Sequence, residues 1–278
     1  MEIDNSKGSL PAYAERLDAL HRALIDDFRE IVGRLPLTGS ETVMDAGCGD
    51  GFFTGLLSER LPTGQAVGLD ASAAYLRAAE ERLGEDVAAG RVRLIEGDVN
   101  DLPFEAASLD AIWSAHCMQS YATIPHTLEE FRRVLRPGGL LAILETDNIH
   151  SIMLSWPPDL ELAARRAEHR EIGDEDSYLG TYFPRFAQQL LREAGYEEFS
   201  REFVFIRRQQ PSGDVLERYV QLYLEDLLAR LGDQLTEQAR SRLRELATPG
   251  SPRFLPRQEN FFLGSLQALI TARAGRTR

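Results

Sequence analysis

Lysine is almost missing from this 278-residue chain: Lys7 stands alone, and 31 basic residues face 44 acidic ones for a formal net charge of −13. The shortage excludes the Gly-Lys-Ser/Thr loop that cradles nucleotide phosphates. The negative balance repels a nucleic-acid backbone, so no nucleic-acid partner is expected. Cysteine is scarce as well. Cys48 and Cys117 are the whole supply, which rules out a disulfide framework and the paired spacing of a zinc site. The histidines at 116, 126, 150 and 169 form no paired-histidine helix motif, and no metal is expected. Long apolar runs are absent too, and Met1 to Gly8 is polar rather than signal-like. Neither a membrane span nor membrane association is expected, and a cytoplasmic location follows.

What is present reads as an ordinary globular protein, 43% hydrophobic and 27% charged. Pro11 to Leu35 has helical spacing, ended by Pro36. Strands are expected at Thr42–Asp45, Gln65–Asp70, Val92–Glu96, Asp110–Ser114 and Leu140–Glu145, with helices Phe52–Leu61, Ser72–Leu83 and Thr127–Leu135 between them. That alternation specifies an α/β fold, a Rossmann-like doubly wound sheet with right-handed crossovers. Glu198–Arg207 and Phe261–Ala272 supply strands six and seven, the last antiparallel. The segments divide as an N-terminal helical piece (1–38), a core (39–147, resumed at 184–209), helical cap insertions (148–183 and 210–258) and a closing strand with its tail (259–278). The helix Asp214–Leu231 is apolar over a broad face, to be buried against its own cap or paired with a second subunit, so a monomer or a homodimer is expected.

The most informative stretch is Val43-Met44-Asp45-Ala46-Gly47-Cys48-Gly49-Asp50-Gly51, a strand, an acid and three alternating glycines running into a helix. Such a turn lets the backbone approach a nucleoside or dinucleotide closely. A nicotinamide fingerprint started at Gly47 would need glycine where Phe52 stands. The remaining pattern, acid-x-G-x-G-x-G, resembles the first motif of the class I S-adenosylmethionine-dependent methyltransferases. The resemblance runs over roughly residues 40 to 146, including Pro137-Gly138-Gly139 before strand five, and looks like the subgroup of ubiquinone-type and small-molecule enzymes.

Stations along the strand ends can be checked against a bound cofactor, S-adenosylmethionine. Gly47, Cys48 and Gly49 form the turn. Asp70, with Ala71 beside it, is placed for the ribose hydroxyls. Asp98 and Val99 offer a carboxylate and an amide that suit adenine. Ser114, ahead of Ala115 and His116, would floor the site near the sulfonium. The resemblance implies that Asp45 neighbours the methionine moiety. Tyr13 is a candidate to reach the cofactor carboxylate, or else the first apolar position of its helix.

Methyl transfer is an in-line displacement in which positioning does much of the work, and a base is needed only if the acceptor loses a proton. His116 is the first candidate base, with His150 and Glu145 as a second set. Tyr121, Trp156, Tyr178 and Tyr182 would line an acceptor pocket if the insertion folds over it. The Asn/Asp-Pro-Pro-aromatic run of many amino-group and nucleic-acid methylating enzymes is absent after strand four, where Trp113 to Tyr121 stands instead. The expected function is methyl transfer to oxygen, nitrogen or carbon of a small organic acceptor. Cofactor binding without methyl transfer (a scaffold, a sensor or a cyclase-like catalyst) and a nicotinamide oxidoreductase are the alternatives.

Overall fold

A computed structural model describes residues 9–172, 175–210 and 212–275. Its first strand, β1 (Thr42–Ala46), is flanked by β2 (Gln65–Asp70) and β4 (Leu109–Ala115), with β3 (Val92–Glu96) outside β2 and β5 (Leu135–Glu145) outside β4, all parallel. Four successive residues of β1 and of β2 are buried, as strands covered on both faces must be. β8 (Phe262–Ala274) runs antiparallel between β5 and β7 (Tyr196–Gln209), giving the order β3-β2-β1-β4-β5-β8. The sheet is therefore mixed and doubly wound, with its strand order reversing between β1 and β4.

Helices cover both faces. On one, α5 (Ile124–Val134) and α8 (Phe183–Glu193) bury Phe131 and Phe183 against Ile112, Ile143 and Ile270. On the other, α2 (Ile25–Gly33), α3 (Phe52–Glu59) and α4 (Ala73–Ala88) bury Phe28, Phe53 and Leu83 with Val43 and Trp113. Each such side chain contributes about 1.5–3 kcal/mol by leaving water. A third core joins α1 (Ala14–Ala23), α6 (Pro158–Glu171), α9 (Gly213–Leu231) and α10 (Glu237–Ala247) around Trp156, Leu160, Tyr223 and Leu227. The broad apolar face of α9 is thus turned inward. A short α7 (Glu175–Thr181) precedes α8. Among the described residues no helix is long and apolar enough to cross a membrane.

Local details depart from the sequence reading for identifiable reasons. The N-terminal helix is two helices, because Leu24 leaves helical geometry at φ −121° while remaining fully buried. An eighth strand, β6 (Met153–Leu154), pairs with Gly264 and Leu263. β8 needs that partner because it runs on past the end of β5, where Glu145 faces Ala268. Two residues are too few to show a period of two.

Candidate functional site

The carboxyl ends of β1 and β4 meet where the strand order reverses, the place where such sheets bind ligands. Leaving β1, the chain turns through Gly47 at φ 75° and Gly49 at φ 53°. The amides of Gly47 and Cys48 both donate to the Leu69 carbonyl, at 2.8 and 3.0 Å, tying the turn to β2. A Cβ on Gly47 would lie 2.7 Å from the Cys117 Sγ, so packing as well as dihedral angle demands glycine. Above Gly49 the nearest neighbours of such a Cβ are Tyr75 ring atoms at 3.9 and 4.0 Å, so the Tyr75 ring covers the turn in ordinary van der Waals contact.

Asp70 ends β2 and faces this turn. Its Oδ2 accepts from the Gly49 amide at 2.9 Å and its Oδ1 from the Ser72 amide at 2.8 Å. Each oxygen keeps a second lone pair that a diol can use. Burial raises the Asp70 pKa, and those two amides work against the rise. Asp45 lies deeper, 2% exposed, with the Thr54 hydroxyl donating to its Oδ2 at 2.6 Å. Burial pushes its pKa up to about 7 against the pull of Thr54, and the charges of Asp70 and Asp50 add to the rise. A cation brought beside this carboxyl would favour its ionised form.

Tyr75, on the first turn of α4, is buried, with its hydroxyl turned towards that of Tyr13. Tyr13, the residue before α1, is half-buried and within the field of Asp70. Between α1 and α4 lies a cleft of about 600 Å³ lined by Asp18, Asp50, Tyr75 and Arg82 among others. The two-sided Asp70 carboxylate and the buried Asp45 beside the glycine turn fit S-adenosylmethionine, a nucleoside carrying a cationic tail. Ala71 is exposed at the end of β2, and Cys48 is buried in the turn. Asp98, also exposed, binds the Asn100 amide and side-chain nitrogen through Oδ1 at 2.8 and 3.0 Å. Val99 beside it packs on the core.

His116 follows β4 in the left-handed region, at φ 56°, which is rare for a residue with a Cβ. Its Nε2 is 2.9 Å from Gln267 Oε1 on β8. Around it stand Phe28 and Phe53, edge-on at 5.9 and 6.1 Å between ring centres. The same two rings meet His21 of α1, which stacks on Phe52 at 4.1 Å. Burial, then the proximity of His116 and Arg82, drives the His21 pKa well below its usual value. Two neutral imidazoles thus share an aromatic enclosure. None of His21, Phe28, Phe52, Phe53 and Gln267 is among the site residues expected from the sequence. His21 was findable, since it falls four residues after Leu17 and three before Leu24, on the apolar face of its helix.

Other expected residues occupy different positions from those assigned. Glu145 is 4% exposed and its Oε1 accepts from the Met118 amide at 2.8 Å, so it holds the turn after β4 rather than offering a free carboxylate. Ser114 is fully buried and pairs with the Tyr121 hydroxyl at 2.9 Å, beneath the floor rather than in it. Tyr121 in turn donates to the Ala46 carbonyl at 3.0 Å, bracing the glycine turn from below instead of walling an acceptor pocket. Trp156 is 4% exposed inside the cap core beside Tyr223, because the cap needs its ring for packing. His150, Tyr178 and Tyr182 assemble elsewhere, around Asp147. His150 Nδ1 lies 3.3 Å from Asp147 Oδ1, Arg185 pairs with the same carboxylate, and the guanidinium covers the Tyr182 ring, which adjoins Tyr178 at 5.0 Å. No group of three or more His, Cys, Asp or Glu that could hold a metal ion occurs among the described residues.

Residues 43–139 match the family model for a methyltransferase domain. The chain is similar to the demethylmenaquinone methyltransferase of Thermotoga maritima, 31% identical over 199 residues that cover 66% of this chain and 84% of that one. It is also similar to the trans-aconitate 2-methyltransferase of Azoarcus sp., 34% identical over 61% of this chain and 66% of that one. Among solved structures, phosphoethanolamine N-methyltransferase 2 of Haemonchus contortus, in complex with phosphomonomethylethanolamine and S-adenosylhomocysteine, superposes with a TM-score of 0.57 at 16% identity. That alignment covers 95% of this chain and 58% of the other, a likeness of fold.

Proposed function

Because the chain belongs to the class I S-adenosylmethionine-dependent methyltransferases, we propose that it methylates a small organic acceptor whose reacting atom loses a proton, with His116 as the base. When bound, S-adenosylmethionine supplies an electrophilic methyl group. Asp70 holds the ribose hydroxyls, the turn of Gly47, Cys48 and Gly49 lets the backbone come close, Asp45 balances the cationic end, and Asp98 with Val99 recognises adenine. Tyr13, before α1, and Tyr75, on α4, close the site.

The observation that carries the reading is the placement of His116. It stands at the end of β4 in a strained backbone conformation, partly buried against aromatic rings. Burial lowers its pKa, only partly opposed by Gln267, so the imidazole is neutral and able to take a proton at neutral pH. A phenolic or enolic hydroxyl, or an activated carbon acid, matches a neutral imidazole in such surroundings. The relatives named for demethylmenaquinone and trans-aconitate support a small acceptor. A net charge of −13 favours that class over nucleic acid. The free thiols of Cys48 and Cys117 suit a reducing, cytoplasmic setting.

Calorimetric titration with S-adenosylmethionine, S-adenosylhomocysteine and NAD tests the cofactor part, with binding expected for the first two alone. Turnover is then screened over hydroxylated aromatics, enolisable carbonyl compounds and unsaturated carboxylic acids. NAD binding in place of the sulfur nucleosides would sink the site assignment. Full turnover by His116→Ala would remove the base.

A further inference from the structure

His116 is joined to a directional hydrogen-bond chain that begins at a main-chain carbonyl. The Ser265 hydroxyl donates to the Ser151 carbonyl at 2.7 Å. A hydroxyl has one proton, so towards Gln267 the Ser265 oxygen can only accept. Gln267 Nε2 donates to it at 2.9 Å. The other end of that amide, Oε1, can only accept, and it lies 2.9 Å from His116 Nε2. Nε2 therefore carries the ring proton, which leaves the lone pair on Nδ1. Ser265 and Gln267 are 5% and 2% exposed, so water does not compete for these bonds.

We propose that Gln267 is a positioning residue: it locks His116 in the Nε2–H tautomer and makes Nδ1 the atom that takes the acceptor's proton. This rests on His116 being the base. As the acceptor atom forms its bond to the methyl carbon, its proton passes to Nδ1. The S–CH3 bond breaks with its electron pair left on sulfur, and the imidazolium keeps its Nε2–H bond to Gln267. The same chain holds the ring in place, because Gln267 comes from β8, where its neighbours Ala268 and Leu269 are fixed by pairing with β5 and β7. The titratable neighbour of the ring is His21 of α1, which is itself neutral. The remaining faces meet Phe28 of α2 and Phe53 of α3, and the His116 amide is bound to the Leu144 carbonyl of β5.

Nitrogen-15 spectra of the imidazoles in the ligand-free protein, assigned by a His116→Asn variant, report the tautomer directly. The wild type is expected to show an unprotonated Nδ1 and a protonated Nε2. Gln267→Leu should give a mixture of tautomers and at least a tenfold lower kcat with KM little changed. Gln267→Glu keeps an acceptor facing Nε2, so the tautomer should be restored and the acid limb of the pH–rate profile should move to higher pH. A wild-type ring protonated on Nδ1, or a Gln267→Leu variant with unaltered tautomer and kcat, overturns the positioning role. Unimpaired turnover by His116→Asn instead overturns the base assignment, whatever the spectra show. Circular dichroism and thermal melting confirm that each variant is folded before it is compared.

Discussion

Two carboxyl groups at the same strand ends are held in opposite conditions. Asp70 accepts two amide hydrogen bonds at the mouth of the turn, whereas Asp45 is buried beneath it with the hydroxyl and amide of Thr54 as donors. Asp45 is therefore protonated in part of the ligand-free population near its pKa of about 7. A cationic ligand favours the carboxylate, so binding releases protons at and below that pH, and affinity falls as pH falls through 7. Calorimetry in buffers of different ionisation enthalpy should detect the release, and Asp45→Asn should abolish it. An unchanged proton count in that variant would place the linkage elsewhere. For Asp70→Ala the expectation is weaker cofactor binding by about 1–3 kcal/mol, the cost of leaving hydrogen-bonding groups unpaired. Unchanged affinity in a folded variant would remove Asp70 from the site.

At the scale of elements, the turn after β1 is held from below by the turn after β4. Cys117 Sγ donates to the Gly47 carbonyl at 3.4 Å and stands where a Gly47 side chain would go. Gly47→Ala should destabilise by about 1–2 kcal/mol through its positive φ, with about 1–3 kcal/mol more from overpacking. Adding Cys117→Ala should recover the packing part only, leaving the backbone cost, and urea midpoints separate the two. Full recovery would mean that the turn can relax its dihedral angle. These elements also mark what the sequence could tell. β2 and β3 were readable to the residue, because a buried parallel strand is an apolar run bounded by turn residues, as in Gln65–Asp70. The glycine turn and the position of Asp70 at a strand end were readable because they lie within one strand-helix-strand unit. Gln267 was not, since it meets His116 across 151 residues through the register of an antiparallel strand. Nor was the fate of Trp156, Ser114, Tyr121 and Glu145: burial and partner choice depend on packing that no local pattern encodes.

For the whole molecule, the same buried acids set how stability follows pH. Asp45 and Glu145 are both raised to about 7, chiefly by burial, against about 4 when unfolded. Between those values the folded state binds more protons than the unfolded one, so stability declines as pH rises from about 4 to 7 and the loss is complete above it. Glu41 acts the other way. Burial would raise its pKa, but the amide and hydroxyl of Thr38 and further amides hold it at about 2, so it stabilises above its unfolded value and ceases to as pH falls towards 2. Self-repulsion from the net charge of −13 deepens the decline towards neutral pH. His21 and His116 oppose the two acids below about pH 6.5, because burial lowers their pKa values and the unfolded chain there binds more protons. The ligand-free Tm should therefore decline as pH rises above about 6.5, where only the acids still titrate. S-adenosylmethionine should raise Tm more at pH 8 than at pH 5, because its cationic end compensates the Asp45 carboxylate. Calorimetric scans from pH 4.5 to 8.5, with and without the ligand, measure both effects. In an Asp45→Asn, Glu145→Gln double variant the decline should flatten. A ligand-free Tm that climbs steadily through pH 7 would show that these two acids are already ionised in the native state, and the proton release expected of Asp45 on ligand binding would fall with it.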